Sequence, residues 1–180
     1  MRFLRLVWWL ALGTMASAGG AVAQTEPVTV FVVRHAEKGP ENPDPDLTAA
    51  GTARAAALAH VLGDAKVTAI ITSEFRRTRA TAVPLATKLG LTAEIIEAGK
   101  MDALMARLKG LSSGGRALVV SHSNLVPTIV ERLSGQKVGE LTDADYDRLY
   151  SVTLWPDGRA TVLYLHFGAV AGGGGPAMRP

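Results

Sequence analysis

Two histidines stand directly after apolar, β-branched runs. Val28–Val33 leads into Arg34-His35-Ala36-Glu37-Lys38, and Ala117–Val120 leads into Ser121-His122-Ser123-Asn124. A neutral imidazole is a good nucleophile toward phosphorus, and an adjacent guanidinium neutralises the phosphoryl oxygens under attack. Positive charge beside His35 also favours its unprotonated ring. A third segment, Ser73-Glu74-Phe75-Arg76-Arg77-Thr78-Arg79, places three arginines at a predicted helix start. Cations there oppose the macrodipole, so a dianion bound by the helix end and the guanidiniums would account for them. The three arginines point in different directions, and at most one or two face a common site. Free N–H groups at the helix start after His122 would hold a phosphate oxygen, with His122 adding charge or a proton. Each segment alone also has a plain structural reading: a chance dipeptide, solvated arginines, a histidine that caps a helix.

The elements around these residues explain why they meet. Continuous Val/Ile/Leu runs read as buried parallel strands, and open α/β sheets bind ligands beyond the carboxyl ends of their strands. Strands are expected over 28–33, 65–72, 91–96 and 116–120, and helices over 48–62, 76–89, 101–111 and 124–135. Thr48 is the expected N-cap and Gly63 the stop of the first helix, and Pro84 is expected to kink or break the second. Residues 39–46 carry three prolines and form a loop over the end of the first strand. Residues 136–149 are polar and give no assignment. Tyr150–Leu154 and Ala160–Phe167 flank Trp155-Pro156-Asp157-Gly158, a hairpin signal. The pattern predicts one α/β domain over 24–170. It is a three-layer sandwich with a mostly parallel central sheet and a C-terminal antiparallel hairpin, followed by a disordered glycine-rich tail over 171–180.

Arg2 and Arg5, the apolar run Leu6–Leu12 and the small residues ending in Ala21-Val22-Ala23 make a secretory signal peptide over 1–23. The run is too short to span a bilayer. Two of the 19 Lys/Arg lie in that leader, which leaves 17 against 16 Asp/Glu, so net charge gives no argument for nucleic-acid or membrane binding. The chain has no cysteine, which excludes disulfides, thiolate metal sites and a cysteine nucleophile. A periplasmic or secreted protein is expected, with no stable membrane insertion once the leader is cleaved. No H-E-x-x-H spacing is present and no metal is expected; His60 and His166 are read as ordinary surface or core residues.

Taken in order, RHAEK, LTAAGTARAAALA, SEFRRTRATA and SHSN resemble the motifs of the histidine phosphatase superfamily, also called the phosphoglycerate mutase-like fold. Leu47, Thr48 and Gly51 match its Leu-Thr-x-x-Gly helix start. Its Ser-x-x-x-Arg-x-x-x-Thr-Ala pattern aligns Ser73, Arg77, Thr81 and Ala82, which selects Arg77 from the three arginines. The resemblance implies that His35 is the nucleophile and becomes phosphohistidine, with Arg34, Arg77 and His122 as the phosphate clamp. It implies a general acid after the third strand: Glu97 first, Asp102 second, with Glu37 and the acids of 39–46 behind them. Lys38 and Asn124 are expected to touch the phosphate or its leaving group, and no cofactor is expected. Ala36 departs from the glycine usual after the histidine, and Ala-Glu-Lys with a short chain resembles the small bacterial phosphatases more than the mutases. The expected function is an exported, metal-independent phosphomonoesterase acting on a small-molecule or envelope-glycan phosphoester. A phosphate-binding envelope protein without turnover and a phosphomutase are the alternatives.

Overall fold

The computed structural model describes residues 26–41 and 43–170; the expected leader over 1–23 and the tail over 171–180 lie outside them. Six strands, β1 (Val28–Arg34), β2 (Ala69–Thr72), β3 (Glu94–Ile95), β4 (Arg116–Ser121), β5 (Arg148–Leu154) and β6 (Ala160–His166), form one sheet in the order β3-β2-β4-β1-β5-β6. β1, β2, β3 and β4 are mutually parallel where they pair, and β5 and β6 run antiparallel, as the sequence pattern predicts. Four helices, α1 (Ala49–Leu62), α2 (Arg76–Leu89), α3 (Met101–Lys109) and α4 (Val126–Ser134), cover the faces.

Strand alternation sorts the core into two halves. Val30, Val32, Ala117, Val119 and Ile71 point to one side, against Leu104 and Leu108 of α3 and Ile129 and Val130 of α4. Val33, Leu118, Val120 and Ile70 point to the other, against Leu58 and Leu62 of α1 and Leu85 of α2. The result is the expected three-layer sandwich. Both faces of the central strands are covered, which is why they read as nearly continuous apolar runs.

Several boundaries differ from expectation. β2 begins four residues later than predicted, because Gly63–Lys66 continue as a turn that includes Lys66 at φ 55°. β3 is only two residues long, an exposed edge with little burial to extend it. Pro84 neither breaks nor ends α2, which runs unbroken to Gly90 in the left-handed region at φ 65°. α4 starts at Val126, two residues later than predicted, because Leu125 and Val126 both donate to the His122 carbonyl and close a turn first. The unassigned polar stretch is irregular from Gln136 to Asp147.

α1 begins as the sequence suggests, with the Thr48 hydroxyl accepting from Gly51 N at 3.1 Å. Gly51 serves a second need: a Cβ there would overlap the Glu37 carbonyl. The glycine lets the first turn of α1 lie against the chain that follows His35.

Candidate active site

The carboxyl ends of β1, β2 and β4, which are neighbours in the sheet, deliver Arg34-His35, Ser73 and His122 to one edge. A cleft of about 370 Å³ opens there. Its walls include Arg34, His35, Lys38, Arg77, His122 and Asn124, so six of the seven site residues expected from the sequence come together. The seventh, Glu97, is exposed and lines a smaller adjoining cavity of about 20 Å³, although its neighbour Ala98 does reach the cleft.

His35 is fixed by its own backbone. Its N–H donates to the Ser121 carbonyl at 2.8 Å, continuing the β1–β4 pairing by one residue. Ala36 N then donates to the Thr81 hydroxyl at 2.9 Å, and Thr81 donates to the Arg77 carbonyl at 2.8 Å. One threonine on α2 therefore anchors the chain beside both His35 and Arg77. Ala36 is fully buried and lies outside the positive-φ region, so the glycine usual at this point is not needed here. The ring Nδ1 of His35 lies 2.8 Å from the Ala36 carbonyl, a contact in which Nδ1–H donates. That assigns the proton to Nδ1 and leaves Nε2 with its lone pair. Burial lowers the His35 pKa from 6.5 to about 3; the Ala36 bond opposes this, and the charges of Arg34, His122 and Arg77 reinforce it. The ring is neutral through the ordinary pH range.

His122 stands 5.4 Å away, centroid to centroid, with its plane inclined at 65°. Its Nε2 lies 2.9 Å from the Ser73 hydroxyl, which lies 2.9 Å from that of Thr78. Phe75 packs edge-on against the ring at 5.1 Å. Burial first, and then Arg77, lowers the His122 pKa to about 4, while Glu74 and Asp44 pull the other way.

The three arginines of the second segment separate as the geometry of a helix requires. Arg77 lines the cleft, with its guanidinium 4.2 Å above the Phe75 ring and 3.3 Å from Asp44. Arg76 pairs with Asp46 at 2.7 Å in solvent, and Arg79 is exposed. The α2 N-terminus also has an anion that sequence reading did not foresee: the Asp44 carboxylate accepts from Arg76 N at 3.0 Å.

Arg34 is 4% exposed and is held by the irregular segment 136–147. It donates to the Thr142 carbonyl at 2.8 Å and to the Tyr146 hydroxyl at 3.3 Å, lies 4.0 Å over the Tyr146 ring, and approaches Asp143 at 3.6 Å. Asp143 lines the cleft as well. None of these three residues carried a motif. Arg34 and Arg77 each keep a buried Nε–H without a protein partner, so their donors are not saturated.

The acids considered second and third for the cleft are occupied elsewhere. Asp102 pairs with Arg132 at 2.7 Å on the surface. Glu37 receives Nε and Nη2 of Arg54, at 2.7–2.9 Å. Although burial opposes ionisation, Arg54 holds the Glu37 carboxyl below its usual range. Arg54 also donates to the Phe167 and Ala169 carbonyls, both at 2.9 Å, tying the end of β6 to the loop after His35. His60 is exposed, and His166, itself exposed, meets the buried Asp147 at 3.1 Å. Among the described residues no group of three or more His, Asp or Glu is placed to hold a metal ion.

An imidazole with one nitrogen tied and the other open, beside two guanidiniums and a second imidazole, defines a site for attack on an anionic electrophile. The comparisons with known proteins give that class a family. The model of the histidine phosphatase superfamily (branch 1) matches residues 30–100, which contain Arg34, His35 and Arg77. The protein histidine phosphatase SixA, solved with tungstate, superposes with a TM-score of 0.65 at 25% identity, covering 77% of this chain and 96% of that one. A mycobacterial glucosyl-3-phosphoglycerate phosphatase gives 0.63 at 17% identity, over 78% of this chain and 99% of that one. The structure described as mycobacterial hydrolase 1 gives 0.63 at 18%, over 80% and 100%. No curated protein matches the sequence. Residues 30–100 thus resemble the histidine phosphatase superfamily, the likeness to SixA extends over most of the chain, and together they support a phosphatase.

Proposed function

We propose that the protein is an exported, metal-independent phosphomonoesterase that works through a covalent phosphohistidine. The observation that carries this reading is the state of His35: buried, neutral, its Nδ1 committed to Ala36, in the same cleft as Arg34, Arg77 and His122. Nε2 attacks phosphorus, the P–O bond to the leaving group breaks, and the leaving oxygen takes a proton. Arg34, Arg77 and His122 hold the three non-bridging oxygens as charge builds. Lys38 and Asn124 stand at the edge of the same cleft, within reach of the phosphate or its leaving group. Water then attacks the phosphohistidine, passing a proton to the carboxylate left by the first step, and the P–N bond breaks, which releases inorganic phosphate and restores both ring and acid.

The proton for the leaving oxygen is assigned to a carboxyl at the cleft mouth. Glu97 lies in the β3–α3 loop next to cleft-lining Ala98, and Asp143 lines the cleft itself. Glu97→Gln and Asp143→Asn separate them. Loss of the acid costs about 10²–10⁴ in rate with an alkyl phosphate and far less with p-nitrophenyl phosphate, whose leaving group needs no proton.

The reading is tested by incubating the protein with labelled substrate in EDTA and quenching. The expected result is a protein-bound phosphoryl group that survives alkali, is lost in acid, and is absent from His35→Ala. Turnover that needs a divalent ion, or that persists in His35→Ala, would sink the mechanism. Retained phosphate binding without any turnover would favour the non-catalytic alternative, and transfer to a second alcohol ahead of water would favour a mutase. Export rests on the leader sequence; a periplasmic or secreted form beginning at Gln24 is the expected product.

A further inference from the structure

We propose that a groove beside the cleft receives the leaving group, and that its charge selects a neutral or cationic polyhydroxyl group of the sugar or aminosugar kind. The inference rests on the phosphatase reading above. The groove, of about 390 Å³, is as large as the cleft and shares two walls with it, Ser123 and Asn124. A molecule whose phosphoryl group lies by His35 therefore has the groove directly beyond Ser123 and Asn124, along α4. The other polar walls are Thr128 and Glu131 of α4 and Lys137 and Glu140 of the irregular segment that follows.

Three features define the ligand. First, these six side chains form no hydrogen bond or ion pair with one another or with any other described residue, so their donors and acceptors are open to hydroxyl groups. Second, no aromatic ring lines the groove, which disfavours a nucleobase or aryl group that binds by stacking. Third, charge divides between the two chambers. The cleft sets Arg34, Arg77 and Lys38 against Asp143, whereas the groove sets Glu131 and Glu140 against Lys137. The cationic chamber draws in the phosphoryl group, and the adjoining one repels a second anion on the same substrate. A volume of this order accommodates a sugar ring.

The test compares kcat/KM for glucosamine 6-phosphate, 3-phosphoglycerate and p-nitrophenyl phosphate. In the wild type the aminosugar phosphate is expected to exceed the phosphoglycerate by about tenfold or more, a difference set by charge in the groove. The Glu131→Lys/Glu140→Lys variant should reduce that ratio by about tenfold, chiefly through KM. Thr128→Trp, which fills the groove, should lower the aminosugar phosphate relative to p-nitrophenyl phosphate by about tenfold. Ratios that stay put in both folded variants, while p-nitrophenyl phosphate is still turned over by a His35-dependent reaction, overturn the groove and leave the phosphatase intact. If even the wild type shows no His35-dependent turnover of p-nitrophenyl phosphate, the phosphatase reading fails and the groove proposal falls with it.

Discussion

Arg34 is gripped from two sides by unlike pieces of chain. On one side, β1 and β4 run in register to Arg34 and Ser121, and the His35 N–H extends the ladder by one more bond. On the other, residues 142–146 fold over the guanidinium without regular structure, using one carbonyl, one carboxylate and one tyrosine. The first wall is made of sheet bonds between buried strands, which open only with the whole domain. The second is made of side-chain and loop contacts near solvent, where local opening costs less. The first wall therefore fixes the reacting atom. The second sets how tightly the neighbouring donor is aimed.

That contrast can be broken by substitution. His35→Ala on the first wall should lower turnover by about 10⁴-fold or more while phosphate still binds, because the remaining donors survive. Arg77→Ala and Arg34→Ala should each cost about 10²–10³ in kcat/KM. An Arg34 effect much smaller than that of Arg77 would show that the second wall holds Arg34 away from the transition state.

Tyr146→Ala should reduce kcat/KM by about tenfold, and Tyr146→Phe, which keeps the stacked ring, by about threefold or less. Equal losses in both would place the contribution in the hydroxyl rather than the ring. Paired measurements of kcat and KM distinguish misaimed Arg34 from a merely loosened loop.

A separate effect, on stability rather than rate, appears in acid. Both site histidines have folded-state pKa values, about 3 and about 4, below the 6.5 of the unfolded chain. Between those limits the unfolded state binds more protons, so stability is full above pH 6.5 and falls as pH drops toward 3. Thermal melts across this range should show the decline in the wild type and a shallower one in His35→Ala. A decline of equal slope would mean that His35 titrates normally in the folded protein.

Much of the first wall is legible from residue order alone. Val28–Val33, apolar but for Thr29, and Ala117–Val120 read as strands, because short β-branched runs of this kind suit a sheet buried between two helical layers. A histidine directly after each must then emerge at the ligand-binding edge. Thr48 and Gly51 announce the start of α1 because an N-cap and a close backbone approach are local needs. Helix geometry allowed at most one or two of Arg76, Arg77 and Arg79 to face the site, and it was the resemblance to the family's Ser-x-x-x-Arg-x-x-x-Thr-Ala pattern that selected Arg77. Tyr146, Thr142 and Asp143 carried no such signal: their role depends on lying more than 100 residues from Arg34 in sequence and beside it in space. The Arg54–Glu37 pair was equally silent, one arginine on an alanine-rich helix whose partner is set by packing.

The sequence by itself determined the strand–helix alternation, the edge at which the chemistry collects and the residue types gathered there, because periodicity, caps and turns act over a few residues. Only the tertiary structure decided that Asp44 caps α2, that Glu97 lies beside rather than in the cleft, and that an unpatterned polar loop closes over Arg34. Those contacts are long-range pairings of single side chains. Their energy depends on a distance that the chain acquires only when its two apolar faces have been buried.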